Sequence, residues 1–114
     1  MIIRLPGSFA TRCRAVIHNG VVTLFAVTPV LSPSLYDQTK AALAVADETL
    51  AEAGSGKDRI LTATVFIADM SQKDEMNRAW DEWADRSNPP MRVCVSAGLT
   101  GACLVEMLFT AVTG

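Results

Sequence analysis

The chain has 114 residues, 50% of them hydrophobic and 19% charged, which suits a single domain over residues 1–114 with a buried core and excludes a disordered chain. With 10 Lys and Arg against 12 Asp and Glu, the formal net charge is -2, which speaks against nucleic acid as the main partner. The single histidine, His18, excludes a metal site built on two or three imidazoles. An odd set of cysteines (Cys13, Cys94, Cys103) with no C-x-x-C pair excludes a zinc ribbon and points to reduced thiols.

Ile2 to Leu5 reads as a short strand ended by Pro6-Gly7. Ala15-Val16-Ile17 and Val21 to Val27 flank His18-Asn19-Gly20, and Asn-Gly between apolar runs marks a hairpin, because both residues accept positive φ. His18 beside that turn reads as a surface residue. Ser32 is the expected helix cap, with Pro33 in the first turn. Leu35, Thr39, Ala42, Leu43, Ala46 and Leu50 then form one apolar stripe on a helix of about five turns, ended by Gly54 and Gly56. Small residues in the stripe let the helix lie close to a sheet.

Ile60 to Ala68 is β-branched and reads as a central strand. Ser71 is the expected cap of a second helix, with Asp74 in its first turn and Met76, Ala79, Trp80 and Trp83 on its apolar face. The tryptophans read as core anchors. After the rigid Ser87-Asn88-Pro89-Pro90 loop come strands at Met91–Ala97 and Leu104–Val112. The order β-ββ-α-β-α-ββ predicts an α+β layer fold of antiparallel hairpins with two helices on one face. No segment reaches the ~18 apolar residues of a membrane span. Met1-Ile2-Ile3-Arg4 lacks a signal-peptide plan, so the expected location is cytoplasmic.

Two charges stand where solvent-facing charges do not belong. Glu106 is the only charge in Leu104 to Val112, and a carboxylate in such a strand needs a partner or a cavity. Arg92 opens the preceding strand directly after Pro89-Pro90-Met91. Alternation puts Arg92, Cys94 and Ser96 on one face of their strand and Glu106 with Leu104, Leu108 and Thr110 on one face of theirs. On the residues alone two readings stand: a structural ion pair across a hairpin, or an arginine fork for a substrate carboxylate with a glutamate that positions water or moves a proton.

Along its length the chain resembles the RidA/YjgF (Rid, RutC-like) family, most of all its short YoaB-like members. The matching stretches are Val16-Ile17-His18-Asn19-Gly20, Asp37-Gln38-Thr39, Ile60-Leu61-x-Ala63 to Asp69, Met76-Asn77-x-Ala79-Trp80-Asp81-x-Trp83, Pro90-Met91-Arg92-x-x-Val95-x-Ala97-Gly98-Leu99 and Val105-Glu106-Met107. No one of them is specific; the ordered set is. The resemblance implies a chorismate-mutase-like fold with a six-stranded, mostly antiparallel sheet. It further implies homotrimers with clefts between subunits, and hydrolysis of reactive 2-imino or enamine acids from pyridoxal-phosphate enzymes to 2-oxo acids and ammonia. It implies no metal and no cofactor. On this resemblance Arg92 holds the substrate carboxylate, Glu106 orients the attacking water, Cys94 contacts substrate through its backbone, and Asn77 is structural. Two departures bear on the pocket. Thr11-Arg12-Cys13-Arg14 stands where many members carry an aromatic residue, and Phe25-Ala26-Val27 replaces Ser-Gly-Gln, so Arg12 and Phe25 are expected at the substrate.

An imine deaminase is the expected function. The alternative is a non-catalytic trimeric sensor of small 2-oxo acids, which needs Arg92 but not Glu106. Endoribonuclease or translation-inhibitor activity is a third label of the family, but the negative charge and the lack of a basic–aromatic cluster argue against it. The expected partners are small 2-imino or 2-oxo acids and further copies of the chain, with no membrane.

Overall fold

Asn19 and Gly20 both take positive φ, 51° and 76°, as a two-residue hairpin turn requires. In the computed structural model, which describes residues 1–114, this turn joins β2 (Arg12–His18) to β3 (Val21–Val27). β1 (Ile2–Phe9) comes before them; α1 (Leu35–Glu52), β4 (Ile60–Ile67), α2 (Lys73–Trp83), β5 (Met91–Ser96) and β6 (Val105–Val112) follow. All six strands form one sheet in the order β1-β2-β3-β6-β4-β5, antiparallel except for the β4–β5 pair. The α+β architecture expected from the sequence is the one observed.

β1 does not stop at Pro6-Gly7 as expected but continues to Phe9. β1 is an edge strand, where a proline without an N–H is tolerated, and the pairing with β2 shifts register there. Leu5 pairs with Ala15 but Pro6 with Cys13, leaving Arg14 as the extra residue of a bulge. Gly7 allows the strands to touch: a Cβ there would stand 2.7 Å from the Arg12 carbonyl oxygen.

Both expected helix caps are displaced. α1 starts at Leu35 with Ser34 as its cap, whose hydroxyl accepts from the Asp37 N–H at 3.1 Å. Ser32 instead accepts from the Ser34 N–H, closing the preceding turn. The later start puts Asp37 in the first turn, where the helix dipole favours an anion. Before α2, Asp69 accepts from both the N–H and the hydroxyl of Ser71 and so caps a 3-10 turn over Met70–Gln72, after which α2 begins at Lys73. The C-terminus of α1 ends as predicted: Gly54 has φ 79°, Gly54 N–H donates to Ala51 and Ser55 N–H to Leu50.

The apolar stripe of α1 is buried in full, together with Trp80 and Met76 of α2. It packs on Val22, Leu24 and Ala26 of β3, Ala63, Val65 and Ile67 of β4, and Val105, Met107 and Phe109 of β6. Each fully buried leucine or phenylalanine there contributes roughly 1.5–3 kcal/mol. Gln38 is also fully buried, and its whole amide is used. Nε2 donates to the carbonyls of Ser32 and Ala102, and Oε1 accepts the Leu104 N–H at 2.8 Å. That staple fixes where β6 begins.

β5 and β6 do not form a hairpin. β4 lies between them, because α2 serves as a crossover and returns the chain parallel to β4. The opposite face of the sheet carries no helix. It exposes Val21, Phe25, Leu108, Val93 and Val95 among threonines, with Thr62 and Thr110 hydroxyls paired at 2.6 Å.

Candidate active site

Glu106 is on the helix-free face. Cross-strand pairing puts it between Val27 of β3 and Phe66 of β4, and puts Leu108 opposite Phe25. A cavity of about 390 Å³ opens there, lined by Arg12, Phe25, Phe66, Glu106, Met107 and Leu108. Glu106 forms no ion pair within the chain; the two salt bridges are Arg14–Glu52 and Arg59–Asp58. It is a half-buried carboxylate in a largely apolar bowl, held in place by strand register.

Arg92 lies on the other face. Its register partner is Ala63, which is buried against the helices, and its guanidinium is cradled by α2. Nη2 donates to Asn77 Oδ1 at 2.7 Å, Nη1 approaches Met76 Sδ at 3.5 Å, and the guanidinium carbon stands 5.2 Å from the Trp80 ring centre. A guanidinium has five N–H donors. α2 engages only some of them, and no carboxylate neutralises the charge. Cys94, two residues along, is a free, half-buried thiol packed against the core.

The cross-hairpin ion pair is therefore absent: Arg92 and Glu106 are separated by β4 and point to opposite sides of the sheet. Within one chain the structure joins Arg12 and Phe25 to Glu106, and leaves Arg92 and Cys94 apart from them. A larger hollow of about 580 Å³ at the β1–β2 tip, between Arg4 and Cys13, contains no acid to pair with its arginines.

Two contributors, Phe66 and Arg14, escape a reading of the sequence, and two more, Asn77 and Trp80, are read there only as a structural residue and a core anchor. Asn77 and Trp80 position Arg92; they occupy adjoining turns of α2, but nothing local says that β5 lies beneath them. Phe66 walls the Glu106 cavity, and alternation with Thr62 and Thr64 does carry that signal. Arg14 donates to the Pro6 carbonyl, to Thr49 and to Glu52, tying the bulge of β2 to α1. His18 stays at the exposed hairpin turn, bonded to Met1 and Asn19. No three His, Cys, Asp or Glu side chains converge as a metal site would require. No helix is long and apolar enough to cross a membrane.

The Endoribonuclease L-PSP family model matches residues 10–113. A RutC family protein of Haemophilus influenzae is 44% identical over 85 residues, 73% of each chain. The RutC family protein YoaB of Escherichia coli is 40% identical over 84 residues, 74% of each. A crystal structure of a YjgF protein family member from Neisseria meningitidis superimposes with a TM-score of 0.94 at 34% identity, covering 100% of this chain and 96% of that one.

Proposed function

The chain belongs to the RidA/YjgF (RutC) family, and on that premise we propose that it is a deaminase of reactive 2-imino acids working as a homotrimer. The observation that carries this reading is the pair of unneutralised, half-buried opposite charges on opposite faces of one sheet. Arg92 of one subunit and Glu106 of another can share a cleft only across a subunit boundary. The apolar helix-free face, with Val21, Phe25 and Leu108 exposed, supplies a surface for that boundary.

In such a cleft the Arg92 fork takes the substrate carboxylate in two parallel hydrogen bonds. Glu106 accepts a proton as water adds to C2 of the iminium carbon. That proton passes to nitrogen; as the carbon–nitrogen bond breaks, the C2 hydroxyl gives up its own proton through Glu106 to the departing ammonia, and C2 becomes a carbonyl. Iminium plus water thus becomes 2-oxo acid plus ammonium, with no redox change. Cys94 lends backbone groups beside Arg92.

The test couples an amino-acid oxidase or dehydratase to release of 2-oxo acid, with and without the protein. Wild type should speed release and Arg92→Ala should not. Light scattering should give a trimer mass; a monomer at micromolar concentration would sink the shared cleft. Phe25 favours one competing reading, because a bulky ring in the cavity wall suits binding without turnover. A sensor would bind 2-oxobutanoate in calorimetry and leave imine hydrolysis at background. Ribonuclease activity finds no support in an acidic chain whose one histidine is committed to a surface turn.

A further inference from the structure

Arg12 adds a cation to the Glu106 cavity that hydrolysis of a simple imino acid does not use. Its backbone is pinned from two sides. Arg14 anchors the bulge next to it through Pro6, Thr49 and Glu52, and Gly7 lets β1 close on the Arg12 carbonyl. β2 and β3 stop pairing at Ala15 and Leu24, so the start of β2 parts from Phe25 and the guanidinium reaches the cavity wall. The guanidinium carbon stacks 4.3 Å from the centre of the Phe9 ring, and Nη1 donates to Thr11 at 3.2 Å. No carboxylate lies within ion-pair distance. Stacking holds the plane of the group and leaves most of its in-plane donors free for a ligand.

We infer that Arg12 is a specificity-determining residue that recognises a second carboxylate, so that the preferred substrates are 2-imino dicarboxylic acids. This rests on the reading in which Arg92 of a neighbouring subunit takes the first carboxylate. The cavity then offers one acid, Glu106, for water, one unused arginine fork, and apolar walls from Phe25, Phe66 and Leu108 for the methylenes between. A monocarboxylic substrate leaves the Arg12 fork without a ligand anion; a dicarboxylic one supplies it, with Arg12 compensating the added negative charge beside Glu106. The supplying reaction would be one that oxidises the amine of an acidic amino acid to its imine.

The experiment is calorimetric titration of the assembled protein with 2-oxobutanoate and with 2-oxoglutarate, stable stand-ins for the mono- and dicarboxylic substrates. Wild type should prefer 2-oxoglutarate by about tenfold or more, the scale of one charge-assisted hydrogen bond. In Arg12→Gln the ratio of the two affinities should collapse toward one, and in Arg12→Lys it should fall part of the way. Arg92→Ala should weaken both ligands and leave the ratio in place. Equal affinities in wild type, or a preference that persists in Arg12→Gln, would overturn the inference. If Arg92→Ala weakens neither ligand, the Arg92 reading fails, and the Arg12 ratio still decides the present one.

Discussion

The two faces of the sheet hold their charged residues by different means. On the helix face, Arg92 is fixed by neighbours from its own chain: an amide oxygen, a sulfur and an indole ring, all from α2. On the open face, Glu106 has no polar side-chain partner, and only pairing with β3 and β6's other neighbour β4 sets its position. One charge is preorganised by tertiary packing inside the subunit. The other is displayed, and its surroundings must be completed by whatever covers that face. On the proposed function, packing on the first face bears on stability and carboxylate binding, and residues of the second on assembly and chemistry.

Adjacent residues of β6 give the sharpest contrast. Phe109 is fully buried on the helix face and stacks with Trp80 at 6.3 Å between ring centres, whereas Leu108 is 44% exposed on the other. Phe109→Ala should cost about 3–5 kcal/mol in urea unfolding. Leu108→Asp should leave a folded chain but lower the mass seen by light scattering from trimer to monomer. If Leu108→Asp stays trimeric, the open face is not the subunit boundary.

Glu106→Gln keeps size and packing and removes proton-accepting capacity. Imine hydrolysis should fall about 10²-fold, while 2-oxobutanoate affinity falls far less. Hydrolysis at the wild-type rate would assign the water to backbone groups near Cys94.

Asn77→Asp keeps the acceptor for Arg92 Nη2 and adds a negative charge that competes with the substrate carboxylate. Affinity for 2-oxobutanoate in calorimetry should drop about tenfold, and Asn77→Ala should lose less because it adds no competing charge. If Asn77→Ala proves the more damaging, orientation rather than charge is what Asn77 supplies.

The smallest effect concerns the turn before α2. The Ser71 hydroxyl and N–H hold the Asp69 carboxyl below its ordinary value of 3.8. A depressed folded value stabilises above the unfolded one, and that contribution fades as pH falls through 3.8 and below. Asp69→Asn should lower Tm slightly at neutral pH, with the difference from wild type shrinking on acidification. A difference that grows instead would show that the carboxylate is not what holds the turn.

The elements themselves were legible because their signals are local. A 3.6-residue stripe marked α1, β-branched residues marked β4, and Asn19-Gly20 marked the hairpin. The caps lie two residues and one residue beyond the expected Ser32 and Ser71, because Ser32, Ser34, Asp69 and Ser71 all offer oxygens close to the helix starts. A lone charge in each of two apolar strands marked Glu106 and Arg92, and the ordered motifs identified the family. Alternation told which residues share a face within one strand. It could not tell which side of the sheet each strand presents, since that depends on strand order and register between distant segments. Insertion of β4 between β5 and β6 is such a nonlocal decision, made by the α2 crossover and the packing of Trp80 on Phe109. It turned an apparent ion pair into two charges on opposite faces. It also laid Arg92 under Asn77 and Trp80, while pairing with β3 and β4 brought Phe25 and Phe66 up beside Glu106.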